Sequence, residues 1–411
     1  MFHFGALVGE PDAHQRAAAQ FRRVLALDST YLPALEHLVL IAARAGDTAT
    51  VRHAGGLFLA TDSTAEGADG VRWRMAVALG DTAALTRLEA RAATMHPLST
   101  HLIDEISLLD GVDLERAARI VATNVEATRA ERSTADRLAF ATMAHDFALA
   151  RGQPARAAAL LETMRETGHP THLVDAGYVL DALFGDGDTT AAQAALRALA
   201  PLAYGPEPTT LPRRYHQESA LCASELWRVA RGDTRTVAQT VARLRAPYRG
   251  ASPIPPGVET PTRPARACAV MLEATMAARA AQAAAAQGAA APPEALQVAE
   301  RLDSLLKLGE AGLVQQAGPL ILARLRETMG DERAALTALR RRSYLFGRQP
   351  YLASILREES RLAQRVGDRA GAVRAARHYA ALRAGAEPTL KDDARRAAID
   401  LSRLEGRGAE D

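Results

Sequence analysis

The side chains in this sequence that could do chemistry are few and scattered. Histidine forms two close groups, His96 with His101 in MHPLSTH and His169 with His172 in GHPTH. A zinc site needs three or four converging ligands, oriented by further hydrogen bonds. Neither group supplies them, and the metalloprotease pattern H-E-x-x-H is absent. His169-Pro170 instead marks a turn into a helix that contains Leu173 and Leu180. Asp186-Gly187-Asp188 hints at a calcium loop. Counted from Asp186, however, the glycine such a loop requires falls on Ala191 and its bidentate glutamate on Arg197. A glycine that ends one helix and an aspartate that caps the next account for the segment. Arg340-Arg341-Arg342 is the densest basic run; it could meet phosphate, but three arginines at a helix C-terminus also complement its dipole and read as a solvated face. Phosphate-loop, dinucleotide and nucleophile-elbow patterns are missing, and no lysine precedes Lys307 to serve a kinase. No catalytic residue, cofactor or metal is expected.

Cys222 and Cys268 show no C-x-x-C or paired spacing, which argues against a disulfide framework or a thiolate zinc site and fits a reducing cytoplasm. The opening MFHFGALVG lacks the basic and long apolar parts of a secretory signal. No apolar run approaches the roughly 18 residues of a membrane span. The formal net charge is +2, with acidic residues balancing basic ones, so no electrostatic footprint for nucleic acid exists. All basic residues but Lys307 and Lys391 are arginine, a compositional bias rather than a binding signal.

Leu40, Arg44, Arg72 and Trp73 are the candidate partner-binding residues, because Trp and Arg dominate binding hot spots. Trp73 has a competing role, filling the space between helices as large aromatics commonly do.

The elements that must position these residues are helices. Hydrophobic residues make up 48% of the chain, charged ones 24% and aromatics only 4%, with abundant alanine and few strand-type runs, which predicts a folded all-α protein. A 34-residue period opens the chain: Asp28-Ser29-Thr30 recurs as Asp62-Ser63-Thr64, and Gly46-Asp47-Thr48 as Gly80-Asp81-Thr82. That is the length of two antiparallel helices with their turns. Asp12 and Gln15 form a capping-box pattern ahead of one apolar face, Ala17, Phe21, Val24 and Leu25. Pro33 suits the first turn of the next helix, whose buried stripe is Leu35, Leu38 and Ala42. Gly46 then ends that helix and Asp47 or Thr48 caps the following one. The same mark continues at Gly152-Gln153, Gly187-Asp188, Gly232-Asp233, Gly330-Asp331 and Gly367-Asp368. Leu356, Ala363, Gly367, Ala372, Ala376 and Tyr379 read as one more helix pair, and Thr389 with Asp392 as the cap of a last helix ending near Leu404.

This pattern resembles the tetratricopeptide-repeat family over residues 12–90. Ala17 and Phe21 match its small-then-aromatic pair, and Leu35 and Leu38 its large-residue and leucine positions. Val39, Ala42, Ser29, Ser63 and Gly55 depart from it. The resemblance implies an α-solenoid of stacked helix pairs whose groove, built from first helices, binds protein or peptide partners. The FHFG segment, the LDST-type turns and the Tyr379…Leu382-Arg383…Glu387-Pro388 stretch are similar to repeat-rich C-terminal regions of bacterial Ser/Thr kinases and activator-type transcription regulators. That similarity implies a sensory module in a signalling context, joined to an effector domain upstream.

The expected organisation is helical repeats over 1–95 with a truncated first unit, divergent repeats over 96–246, a Pro-rich linker over 247–264 that breaks the array, and C-terminal repeats over 265–411. The alanine-rich stretch 277–292 is expected to be an exposed helix end and loop before a helix at Pro293. Only a few residues precede Gly9-Glu10-Pro11, which predicts an uncapped array edge.

Overall fold

The computed structural model is all-α, and among its described residues there is no strand. It describes the chain except residues 1, 4, 11, 132, 209, 247–263, 309–311, 343–347 and 407–411. Two compact units are present, divided between Phe147 and Ala148. In the first, α1 (Gly5–Val8) and α2 (Ala13–Leu27) precede the pairs α3 (Leu32–Arg44) with α4 (Thr48–Thr61), α5 (Ala68–Leu79) with α6 (Thr82–Ala90), and α7 (Pro97–Asp110) with α8 (Leu114–Glu131). Helix α9 (Thr134–Ala150) carries the chain across the division. The second unit begins its helices with α10 (Pro154–Glu166). It continues with α11 (Thr171–Phe184) and α12 (Thr189–Ala203), α13 (Leu211–Ala230) and α14 (Val237–Arg245), and α15 (Pro264–Ala286) and α16 (Pro293–Lys307). The pairs α17 (Leu313–Thr328) with α18 (Glu332–Arg340) and α19 (Leu352–Arg365) with α20 (Arg369–Arg383) follow, and α21 (Lys391–Glu405) ends it.

Each helix packs on its successor within a pair, and the first helices also touch in series, α3 on α5 on α7 and α11 on α13 on α15 on α17. This is the solenoid-like stacking expected of a repeat array. The turns explain it locally. Gly46 and Gly80 are left-handed, with φ of 72° and 67°, a region where only glycine escapes the Cβ clash. Asp47 and Asp81 then accept hydrogen bonds from the backbone N–H of Thr50 and Ala84, satisfying donors at the starts of α4 and α6. The other period mark is equally regular: Asp28 accepts from the N–H and hydroxyl of Thr30, and Asp62 from those of Thr64. Gly330-Asp331 and Gly367-Asp368 repeat the glycine-and-cap device.

Some local expectations are corrected. Asp12 is left-handed at φ 52° and makes no side-chain cap, so the capping box with Gln15 does not form. Val24 is exposed, whereas Ala17 is buried and Phe21 and Leu25 pack partly against the core. Asp233 holds Arg228 and Arg235 rather than a helix end, and α21 follows a short 3-10 turn without a Thr389 cap. At the array's start, Phe2 is buried and packs its ring against Phe21 and His37. The Pro-rich stretch 247–264 lies outside the described residues except for Pro264, which begins α15. Around it the stack is continuous: α14 packs on α15, α13 packs on α15, and all belong to the second unit. No described helix is long and apolar enough to cross a membrane.

The two ends of the second unit's helix run meet. The Glu387 carboxylate accepts hydrogen bonds at 3.1 Å from the N–H groups of Ala155 and Arg156, capping the start of α10. The Gln153 side chain donates to the Gly385 carbonyl at 2.7 Å, and the Glu387 N–H to that of Gly152 at 2.9 Å. Arg383, 1% exposed, bridges Asp186 at 2.5 Å and Asp393 at 3.4 Å. Gly152 makes room for it, since a β-carbon there would lie 2.3 Å from Arg383 Nη1. Tyr351 adds a ring contact to Phe184 and a hydrogen bond to Asp181.

Candidate functional site

The four candidate binding residues are not one surface. Leu40 and Trp73 are buried, at 2% and 0% exposure, and Leu40 belongs to the apolar core with Val39, Leu38 and Phe58. Trp73 thus takes the packing role, and neither residue offers a face to a partner. Arg44 reaches Asp110 at 3.0 Å, and Arg72 is held by Asp69 at 2.7 Å and by the Ser63 carbonyl at 2.7 Å. Both arginines are tied to neighbouring turns and helices of the first unit.

The first unit's first helices instead carry a layer of buried polar groups. Arg74 joins Arg44 on Asp110, at 2.7 Å. Glu105 lies 3.3 Å from His101, and Asp146 3.0 Å from His145. Asp104 is buried between them. Its carboxyl is pushed well above the ordinary range, by burial first and then by the nearby charges of Glu105 and Asp146. Such clusters mark functional sites or structural ion networks. Here the cations are matched to carboxylates within the layer, which is what a structural network requires. His96 caps α7 through Nδ1 to the Leu98 N–H, and His101 is drawn to Glu105. No metal-binding group of three or more His, Cys, Asp or Glu occurs among the described residues.

Glu36 on α3 gives this unit a pH dependence. Burial raises its carboxyl to about 7. The folded state then holds a proton that the unfolded chain releases at lower pH, so stability falls as pH rises from the ordinary carboxylate range through about 7. Glu36→Gln is expected to stabilise the first unit at pH 8 by about 1–2 kcal/mol, a figure reduced for its partial exposure, with less gain at pH 4.5. Thermal unfolding followed by Trp73 fluorescence in a Trp227→Phe background measures it; equal gains at both pH values would refute the assignment.

In the second unit, the arginine run is neither solvated nor poised for phosphate. Arg340 bonds Glu359 at 3.1 Å and Asp368 at 2.6 Å, Arg341 pairs with Asp303, and Arg342 bonds Glu359 at 2.8 Å. The run ties α18 to α16, α19 and α20. Asp186, dismissed as a calcium ligand, is the partner of Arg383, while Asp188 caps α12 at the Thr190 N–H.

The cysteines are corrected outright. Cys222 on α13 and Cys268 on α15 form a disulfide, with Cα atoms 5.9 Å apart. Spacing along the chain carried no sign of it, because stacking brings the first helices of successive pairs, α13 and α15, together across the one helix between them. Closing a loop of 46 residues is expected to contribute about 2–4 kcal/mol. Adding a reductant should therefore lower the urea midpoint of the second unit, and Cys222→Ala/Cys268→Ala should abolish that sensitivity. A midpoint indifferent to reductant would refute the bond's contribution.

The described residues of the second unit form at least two cavities. One is an open cleft of about 780 Å³ between α14, α15 and α16. Arg245, Arg266 and Arg301 line it, over Val270, Leu305 and Leu308, the last 53% exposed. Arg245 and Arg301 share Glu273 at 2.6 and 3.0 Å, and Glu300 stands on the same wall. The other is smaller and more enclosed, where the end of α11 meets α17 and α19. Neither was legible in the sequence, because the lining residues come from separate helices without a shared local pattern. Comparison of the chain with protein-family models and with characterised proteins gives no match.

Proposed function

We propose that this chain is a helical-repeat scaffold that captures an acidic, partly apolar segment of a protein partner and carries no catalysis of its own. The open cleft between α14, α15 and α16 supports this reading above all. Its floor of Val270, Leu305 and Leu308 suits apolar anchors, and its three arginines suit carboxylates that compete with Glu273. Micromolar binding, about −8 kcal/mol, is the expected scale for a few anchors in a preformed groove. The tetratricopeptide resemblance fits the same role. The disulfide weighs toward an oxidising compartment, since a reducing cytoplasm would keep Cys222 and Cys268 as free thiols.

The test is selection of displayed random dodecapeptides on the full chain. Acidic peptides with apolar anchors should be enriched, and Arg245→Glu/Arg301→Glu should lose them by tenfold or more. Enrichment of basic peptides, or capture indifferent to the charge reversal, would sink the proposal.

A further inference from the structure

The smaller cavity of the second unit lies where the end of α11 meets α17 and α19. Leu183, Phe184 and Gly185 at the end of α11 form one wall, and α17 and α19 the other. The Phe184–Tyr351 ring contact and the Tyr351–Asp181 hydrogen bond hold these walls together. The cavity measures about 140 Å³, close to the size of an engineered cavity that accepts benzene.

Its lining separates into an apolar part and a cationic part. Leu183, Phe184, Ile321 and Leu362 supply the first. Arg324, Arg357 and Arg361 supply the second, against Glu327 and Glu358. Arg361 is already committed, with two bonds of 2.7 Å to Glu327 and one of 2.8 Å to Glu358, and Glu327 also takes Arg365 at 2.7 Å. Arg357 approaches Glu358 only to 3.9 Å, and Arg324 forms no hydrogen bond or ion pair among the described residues. Two exposed guanidinium forks therefore face the cavity with donors to spare.

We propose that this cavity binds a small organic monocarboxylate. The guanidinium of Arg324 or Arg357 matches a carboxylate in a two-bond fork. A tail of about six carbons fills the volume against Phe184 and Leu362. The two glutamates on the wall leave a single net positive charge, which suits a monoanion and disfavours a phosphate dianion. Because α11, α17 and α19 all line the cavity, the bound acid also stabilises their contact.

Titration calorimetry on the full chain tests this with benzoate and hexanoate, against benzyl alcohol and inorganic phosphate at matched ionic strength. Saturable binding of the two acids is expected, with at least tenfold weaker binding of the alcohol and of phosphate. Arg324→Gln/Arg357→Gln should weaken both acids at least tenfold. Both arginines are exposed, so the variant should keep the wild-type melting curve. Arg245→Glu/Arg301→Glu should leave the acids' affinity unchanged, which separates this site from the open cleft. The acids should also raise the melting temperature followed by Trp227. No saturable binding, equal binding of phosphate, or affinity unmoved by the Arg324/Arg357 variant would overturn the assignment.

Discussion

Replacing Arg383 with alanine is expected to lower the stability of the second unit by about 3–5 kcal/mol. The side chain is buried and holds Asp186 and Asp393 together, with the Tyr379 ring beside its guanidinium. Removing it leaves two carboxylates facing a cavity where the cation had been. It also opens space beside Gly152, whose glycine identity the guanidinium requires. Arg383→Lys should be intermediate, because an ammonium retains the charge and loses the fork that spans two aspartates. Urea unfolding monitored by Trp227 in a Trp73→Phe background measures this, since the chain holds one tryptophan in each unit. An unchanged midpoint in Arg383→Ala would mean that the contact between the ends of the unit contributes little.

The second large effect concerns Trp73. With no exposed surface, its truncation to alanine is expected to destabilise the first unit by about 3–5 kcal/mol. Trp73→Phe should cost less than about 1.5 kcal/mol, since it keeps most of the volume. It also removes an indole N–H that finds no acceptor among the described residues, which offsets part of the lost packing. Thermal unfolding by circular dichroism of the three proteins decides the matter. Alanine and phenylalanine variants of equal, wild-type stability would contradict the buried role and return Trp73 to the surface. A binding loss in Trp73→Ala would by itself say nothing about a partner, because the unit carrying it would be weakened.

These two residues also show what the sequence could and could not carry. The helix pairs were legible because their determinants are local. Gly46-Asp47 and Gly80-Asp81 specify a turn within a few residues, and Asp28 and Asp62 bond their own Thr30 and Thr64. Pro33 and the Leu35, Leu38 and Ala42 stripe needed only helical geometry. Asp12 failed where the signal was equally local: its backbone is left-handed and its side chain makes no cap hydrogen bond. What lies beyond one helix pair was not legible. Arg383 meets Asp186 across 197 positions, and Gln153 meets Gly385 across 232. The Arg340–Arg342 run looked solvated because its carboxylates, Asp303, Glu359 and Asp368, sit on three other helices. The Cys222–Cys268 disulfide left no trace in the sequence for the same reason. The cleft and the enclosed cavity are likewise products of stacking, and the Leu40, Arg44, Arg72 and Trp73 set read composition where burial decided.

The central claim is that partners dock in the arginine-lined cleft between α14, α15 and α16. Hydrogen exchange on the full chain, with and without the tightest acidic peptide recovered by display, tests it most directly. Protection is predicted in 237–245, 264–275 and 293–307, with the first unit unchanged. Protection confined to α3, α5 and α7 of the first unit, or spread evenly over both, would contradict it.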